Sequence, residues 1–329
     1  MKGKMLKNVF AGLGIGILLC GLMYAGLTLH YKSTPVSNDD DIKTETEVPN
    51  DTEQPTNADT EKKEVVLNSN VANVTAMTAS ETIVPQDVQK MYVIEPPNRQ
   101  IKNVQGGCAV GGYFYQAFYF ADVAENQANN ECIIVKCELE TGKVVKQSEV
   151  LQLNHVNDIA YNDKKGCLVV AHNTPLSNLL SYVDIETLEV IESFPIDYYI
   201  YSISYNAARD QYVIGIQESQ NFRILDADFN AVGDLIKAST RSKSSTTQGS
   251  DCDDDFIYFP LYKPNVVMVY DWNGNFVTLI DIEEHIASSD YEPEDVTVVD
   301  GVMYINCGIS KATVFKVSDF IPKQIKEGE

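Results

Sequence analysis

Positive charge is scarce in this chain: 25 Lys and Arg stand against 47 Asp and Glu, for a formal charge of −22. That balance excludes a general nucleic-acid binder, because phosphate contacts need Lys and Arg to displace counterions. It also disfavours adsorption to anionic lipid headgroups. There is one tryptophan, Trp272. No G-x-S-x-G elbow marks a serine nucleophile. The glycine pair of "QGGCAVGG" has no helix behind it, so it is not a phosphate-cradling loop. No two cysteines have the clustered spacing of a zinc site. Past the N-terminus, no stretch keeps helical periodicity over three turns.

One long apolar run is present. Val9 to Leu29 holds 21 residues without a charge, enough for a single bilayer-spanning helix. Lys2, Lys4 and Lys7 precede it and an acid-rich segment follows, so the positive-inside rule puts the N-terminus in the cytoplasm. A cleaved signal peptide is the rival, but "LMYAGL" is a poor cleavage context. Leu19 before Cys20 is also too large for a lipobox. Residues 1–32 are therefore expected to be a cytoplasmic tip and an uncleaved signal anchor. The chain is then a single-pass protein of the cell membrane whose remainder is extracytoplasmic. From Ser33 to Glu64 there are ten acids, three lysines and no aromatic residue. Such a composition buries too little apolar surface to offset chain entropy, so residues 33–81 read as a solvated, charge-extended stalk. The folded domain is expected over residues 82–329.

Outside the apolar run, the cysteines are Cys108, Cys132, Cys137, Cys167, Cys252 and Cys307. An even six in an oxidising compartment invites disulfides. Their setting in apolar strand patterns such as "ECIIVKC" and "MYINCG" favours free core thiols, which behave as small hydrophobes.

The folded region repeats. "QGGCAV", "VNDIAY", "YSISYN", "GSDCDD" and "PEDVTV" each place an apolar or small residue just past a polar edge. Taking Cys108, Ile159, Ile203, Cys252 and Val296 as equivalents gives spacings of 51, 44, 49 and 44 residues. A second register, at Cys137, Val183, Leu225, Tyr270 and Lys316, gives 46, 42, 45 and 46. Between the two markers lies a third strand-like segment, from "GYFYQAFYF" to "GVMYINCG". Four short strands rich in Val, Ile, Tyr and Phe, repeated at this period with Gly, Asp and Asn at the turns, predict an all-β fold: a five-bladed β-propeller of four-stranded antiparallel blades. The segment Met91 to Glu95 is expected to supply the outermost strand of the last blade and so close the ring. "IPKQIK" is the alternative for that place.

In such a ring, the residues just before each innermost strand converge on one mouth. They are Gln105; His155, Asn157 and Asp158; Tyr201; Gln248 and Asp251; and Glu292, Glu294 and Asp295. Loops after the second strands bring His172, Tyr262 and Lys263 to the rim. Taken singly, these Asp and Asn residues are turn caps. Taken together, they form a polar ligand site. Calcium or another divalent ion is the metal to consider, with Asn157, Asp158, Asp251, Glu294 and Asp295 as oxygen donors. His155 with Asp158 offers a general base, but their spacing does not fix a common direction.

The repeat resembles the broad β-propeller superfamily, including the quinoprotein-like and NHL-like propellers, over about Gln89 to Phe320. "VNDIAYNDKKGCLVV" also resembles a piece of the gluconolactonase and regucalcin-type family. That resemblance implies an axial metal ligand at Asn157 and an acidic one at Asp251 in "GSDCDDDFIYF". Gln105 stands where that family has a further acid, and "YSIS" lacks its Asn-Gly. Three functions are open. The first is a membrane-anchored module that binds a carbohydrate, peptide or envelope protein. The second is a metal-dependent hydrolase or lactonase, and the third a scaffold within an envelope complex.

Overall fold

The computed structural model describes residues 82–96, 103–122, 127–173, 175–217, 220–238, 246–308 and 311–320. Two N-terminal strands come first, β1 (Thr82–Ile83) and β2 (Asp87–Ile94). Blade 1 follows as β3 (Asn103–Val110), β4 (Tyr113–Asp122), β5 (Gln127–Glu138) and β6 (Val144–Gln147). Blade 2 is β7 (Asp158–Asn162), β8 (Cys167–Ala171), β9 (Leu179–Asp184) and β10 (Val190–Pro195). Blade 3 is β11 (Ile200–Asn206), β12 (Gln211–Ile216), β13 (Phe222–Asp226) and β14 (Ala231–Ile236). In blade 4 the innermost position is shared by β15 (Thr246–Thr247) and β16 (Asp251–Cys252), both paired with β17 (Phe256–Tyr262). That blade continues as β18 (Val266–Asp271) and β19 (Phe276–Asp281). Blade 5 is β20 (Pro293–Val299), β21 (Val302–Cys307) and β22 (Ala312–Ser318). The five Cys108-type markers all fall on innermost strands, and the five Cys137-type markers on third strands, as their spacing predicts.

The ring closes through the N-terminus. β2 runs antiparallel to β22, pairing Val93 with Thr313 and Gln89 with Lys316, and supplies the fourth strand of blade 5. β1 adds in parallel to β19, with Thr82 opposite Leu279, and covers the outer edge of blade 4. Both pairings satisfy backbone groups that an open edge would leave exposed. "IPKQIK" lies outside the described residues.

Turn chemistry sets the hairpins. Between first and second strands, Asn162 Oδ1 accepts from Lys165 N, Asn206 Oδ1 from Arg209 N and Asp253 Oδ1 from Phe256 N. Between third and fourth strands, Asp184, Asp226 and Asp271 accept from backbone N–H groups two to four residues on. A short carboxylate or amide that bonds the backbone just ahead of it stabilises the reversal. Four aspartates of the folded region, Asp184, Asp226, Asp253 and Asp271, have this local purpose.

The core lies between blades rather than at the centre of the molecule. Each of five apolar clusters joins two adjacent blades: Tyr115 and Ile134 of blade 1 with Leu168 and Val170 of blade 2 is one. Phe222 of blade 3 against Phe259 and Tyr270 of blade 4 is another, with ring centroids 4.7 and 4.9 Å apart. Inner strands are thus buried on both faces, which explains their near-continuous apolar sequence. At about 1.5–3 kcal/mol for each large side chain buried, this inter-blade packing is the main stabilising term. Cys108, Cys132, Cys137, Cys167, Cys252 and Cys307 are all buried and free, as core thiols.

The expected membrane anchor and acidic stalk, residues 1–81, lie outside the described residues. Among the described residues, no helix is long and apolar enough to cross a membrane.

Candidate functional site

The axis is built from carboxylates that bond backbone on other blades. Asp158 of blade 2 is fully buried, and its Oδ2 accepts from Ile203 N of blade 3 at 2.7 Å and Ser250 N ahead of β16 at 3.1 Å. Its Oδ1 accepts from Ile159 N at 2.8 Å. Asp295 of blade 5 accepts from Gly107 N of blade 1 and from Val296 N, both at 2.8 Å. Asp251 of blade 4 accepts from Val298 N of blade 5 at 2.6 Å. Glycine permits this crowding: a Cβ on Gly106 would lie 2.3 Å from Asp158 Cα, and one on Gly249 2.3 Å from Asp295 Oδ1. Burial pushes Asp158 and Asp295 well above the ordinary carboxylate range, and neighbouring acidic charges add to the effect. The backbone N–H donors oppose it. Burial brings Asp251 up to about 7.

These three aspartates, expected as calcium donors, therefore have oxygens committed to backbone N–H groups. Another of the five expected donors, Asn157, gives its Nδ2 to Tyr201 O and takes Asn173 Nδ2 on its Oδ1 at 2.7 Å. Among the described residues, no group of three or more His, Cys, Asp or Glu is placed to hold a metal ion. The donor set suits a tie between blades better than a divalent-ion shell.

Beside this tie the strands change register. The ladder breaks between Val104 and Gly107, between Ile200 and Ser202, and between Pro293 and Asp295. The residues skipped include Gln105, Tyr201 and Glu294, each at the start of an innermost strand. A bulge re-aims a side chain out of the pleat, which is how the mouth obtains polar groups from strands that are otherwise apolar.

At the seam of blades 5 and 1, Gln105 and Glu294 meet. Gln105 O accepts from Gln116 Nε2 at 2.5 Å and Asn306 Nδ2 at 2.8 Å, while Gln105 Nε2 lies 3.4 Å from Glu294 Oε2. Gln116 Nε2 also reaches Gly106 O and Ala117 O, at 3.2 and 3.1 Å. Because both amide nitrogens face carbonyl oxygens, the amide orientations are fixed by their partners. Their oxygens, Gln116 Oε1 and Asn306 Oδ1, are buried without a hydrogen-bond partner, and so is Glu294 Oε1. Glu294 is only 5% exposed, and burial together with the charge of Glu292 pushes its carboxyl well up. Gly308 makes room for it, since a Cβ there would fall 2.3 Å from Oε1. Glu292 is answered by Gln248 Nε2 at 2.9 Å and by the charge of Lys263.

The remaining expected residues sit around this seam or away from it. His155 contacts Tyr119 edge to face, with ring centroids 4.1 Å apart. Its Nε2 is buried without a partner, and burial holds its pKa down to about 4. Burial raises the Tyr119 hydroxyl, and the charges of Glu294 and Glu292 add to the effect. The backbone at Val156 has φ 47°, a strained value for a β-branched residue, so the turn holding His155 is over-determined by its packing. His172, expected at the rim, is instead 1% exposed: Nδ1 is 2.8 Å from Asn154 Nδ2, and Nε2 is 2.7 Å from Ser181 Oγ. Its ring turns into blade 2 because both nitrogens find partners there. Tyr201 is buried, with its ring over Gly215 and its hydroxyl bonded to Thr247. Tyr262 is half-buried beneath the exposed Lys263, whose Nζ lies 4.5 Å from the ring centroid.

Gln116 and Asn306 are absent from the polar edges read off the sequence, because they lie inside second strands. The signal for them is an amide in an otherwise apolar run, "YFYQAFYF" and "VMYINC", where a buried polar group demands partners.

No protein-family model matches the sequence, and no curated protein does. Solved structures do resemble it. The chain is similar in fold to the glutaminyl cyclase of Myxococcus xanthus, with a TM-score of 0.51 at 14% identity over 72% of this chain and 97% of that one. The WD40 repeats of RRP9 superpose with a TM-score of 0.38 at 11% identity, covering 69% of this chain and 62% of that one. U3-55K gives 0.38 at 11%, covering 67% and 61%. The fold is a five-bladed β-propeller.

Proposed function

We propose that this propeller is a ligand-binding module whose ligand is received at the mouth, at the seam of blades 5 and 1. The observation that carries the reading is the set of three buried oxygens around Gln105 that have no partner, on Glu294, Gln116 and Asn306. An unmet buried acceptor costs about 1–3 kcal/mol, so three on side chains that share Gln105 as a partner favour an occupant that supplies donors. Elsewhere on the axis, the carboxylates of Asp158, Asp251 and Asp295 are already satisfied. The apolar run Val9 to Leu29 and the acidic segment after it support a module held at the cell membrane on a stalk, with the propeller extracytoplasmic. Carbohydrates, peptides and envelope proteins all carry N–H or O–H groups that such a mouth recognises.

The test is a thermal-shift panel of sugars, short peptides and polyols on the purified full-length chain, repeated on Asn306→Ala. A ligand at a hundredfold excess over its dissociation constant stabilises by about 2.7 kcal/mol. Shifts that vanish in the variant support the mouth. Shifts of equal size in both proteins place binding elsewhere and remove the reading.

A further inference from the structure

We infer that the Glu294 pocket is a site for a singly charged cation, either an alkali ion or the ammonium head of a primary amine. The inference rests on the mouth being the binding site and names the chemistry it accepts.

The three unpartnered atoms, Glu294 Oε1, Gln116 Oε1 and Asn306 Oδ1, are all oxygens. The two amides cannot turn to offer N–H groups without losing Gln105 O, the shared acceptor of both nitrogens. The unpartnered atoms at the seam are therefore acceptors alone, the arrangement that suits a hard cation or an N–H-rich one.

Charge fixes the valence. Glu294 is the one carboxylate in the set, and the two amide oxygens are neutral. Its neighbour Glu292 already has Gln248 and the charge of Lys263. One buried negative charge balances one positive charge, whereas a divalent ion would leave a net charge in the interior, at a large desolvation cost. Burial also accounts for the carboxyl when the pocket holds no cation. A proton on Glu294 keeps it neutral and can satisfy one of the three acceptors. A cation then replaces that proton, and its binding strengthens as pH rises.

Gly308 gives the pocket a second constraint. The Glu294 side chain takes the place that a side chain there would need, because a Cβ at that position would lie 2.3 Å from Oε1. No positive φ is required there, so alanine is compatible with the local backbone. Replacing Gly308 therefore displaces the carboxylate without touching the axial ties.

The test measures the melting temperature of the full-length chain at constant ionic strength in sodium, potassium, ammonium, methylammonium and tetramethylammonium chlorides. Tetramethylammonium carries the charge but has no N–H group and is too large to be coordinated by the pocket oxygens. The expected result is a saturable rise with at least one of the smaller cations over tetramethylammonium. That response should weaken at least about tenfold in apparent affinity in Glu294→Gln and likewise in Gly308→Ala. A response to potassium or sodium alone identifies an ion site; a response to methylammonium identifies an amine head group. If no cation exceeds tetramethylammonium, or the response survives in both variants, the inference is overturned. Mouth-dependent shifts in the ligand panel without any cation effect would overturn this inference alone. Panel shifts that ignore Asn306→Ala would remove the mouth reading with it.

Discussion

The carboxylate of Asp158 in blade 2 accepts the backbone N–H of Ile203 in blade 3 at 2.7 Å, and the same oxygen accepts Ser250 N, just ahead of β16, at 3.1 Å. A single side chain thus spans three blades. Asp295 and Asp251 make the corresponding ties onto Gly107 and Val298. The aspartates at the axis are fasteners, and this sets what their removal does.

Asp158→Ala leaves the N–H groups of Ile159, Ile203 and Ser250 without their buried acceptor. At about 1–3 kcal/mol for each unmet donor, the variant should lose roughly 3 kcal/mol or more in denaturant unfolding. Asp158→Asn, which keeps one acceptor oxygen, should lose less. Excess EDTA should leave the melting temperature of the wild type unchanged. A chelator-induced fall that Asp158→Ala abolishes would show that the ties are metal ligands instead.

Stability should depend on pH through buried groups of two opposed kinds: the raised carboxyls Asp158, Asp251, Glu294 and Asp295, and the lowered histidines. Burial raises Asp251 to about 7, above its unfolded value of about 3.9. The folded state therefore binds more protons, and this contribution is complete below pH ~4 and lost as pH rises through about 7. Burial holds His155 and His172 down to about 4, below the ordinary value near 6.5. Their contribution is present above pH ~6.5 and lost as pH falls through about 4. Asp251→Asn removes the Asp251 contribution and leaves those of the other buried carboxyls and of the histidines. Chemical denaturation from pH 4 to 8 should show the stability of the variant gaining on that of the wild type as pH rises through about 7.

Ring closure should depend on one glycine. Gly142 has φ 68°, and a Cβ there would sit 2.2 Å from Tyr92 Cδ2 on the closing strand, whose hydroxyl donates to Leu139 O at 2.6 Å. Gly142→Ala adds an unfavourable backbone and a clash at the seam, each costing on the order of 1–3 kcal/mol. Hydrogen exchange should show β2 losing protection first, while blades 2 and 3 keep theirs. Uniform loss across the blades would contradict a local seam.

The blade architecture was legible because each strand is sandwiched between neighbouring blades and so writes its burial into a run of Val, Ile, Tyr and Phe. The marker spacings at Cys108 through Val296 follow from that. The closing strand was legible too, since "KMYVIE" matches an outer strand, although the strand begins earlier, at Asp87. The additional edge strand Thr82–Ile83 is only two residues long and leaves no periodic trace. At the site, sequence position put Gln105, Asn157, Tyr201 and Glu294 at or just before the innermost strands, but did not reveal the fate of each oxygen. Asp158 and Asp295 look like ligands in one dimension, and only the approach of a second blade at Gly106, Gly107 and Gly249 turns them into ties. His172 reads as a rim residue until Asn154 and Ser181 are seen to enclose it. Gln116 and Asn306 were hidden by the apolar strands that carry them.

The most direct measurement is anomalous scattering from crystals of the protein grown in rubidium chloride, with a parallel data set in methylammonium chloride. The account predicts a rubidium peak, or ammonium density, in contact with Glu294 Oε1, Gln116 Oε1 and Asn306 Oδ1. Density showing the Glu294 carboxyl bonded directly to an amide oxygen, with no cation in either crystal, would contradict it.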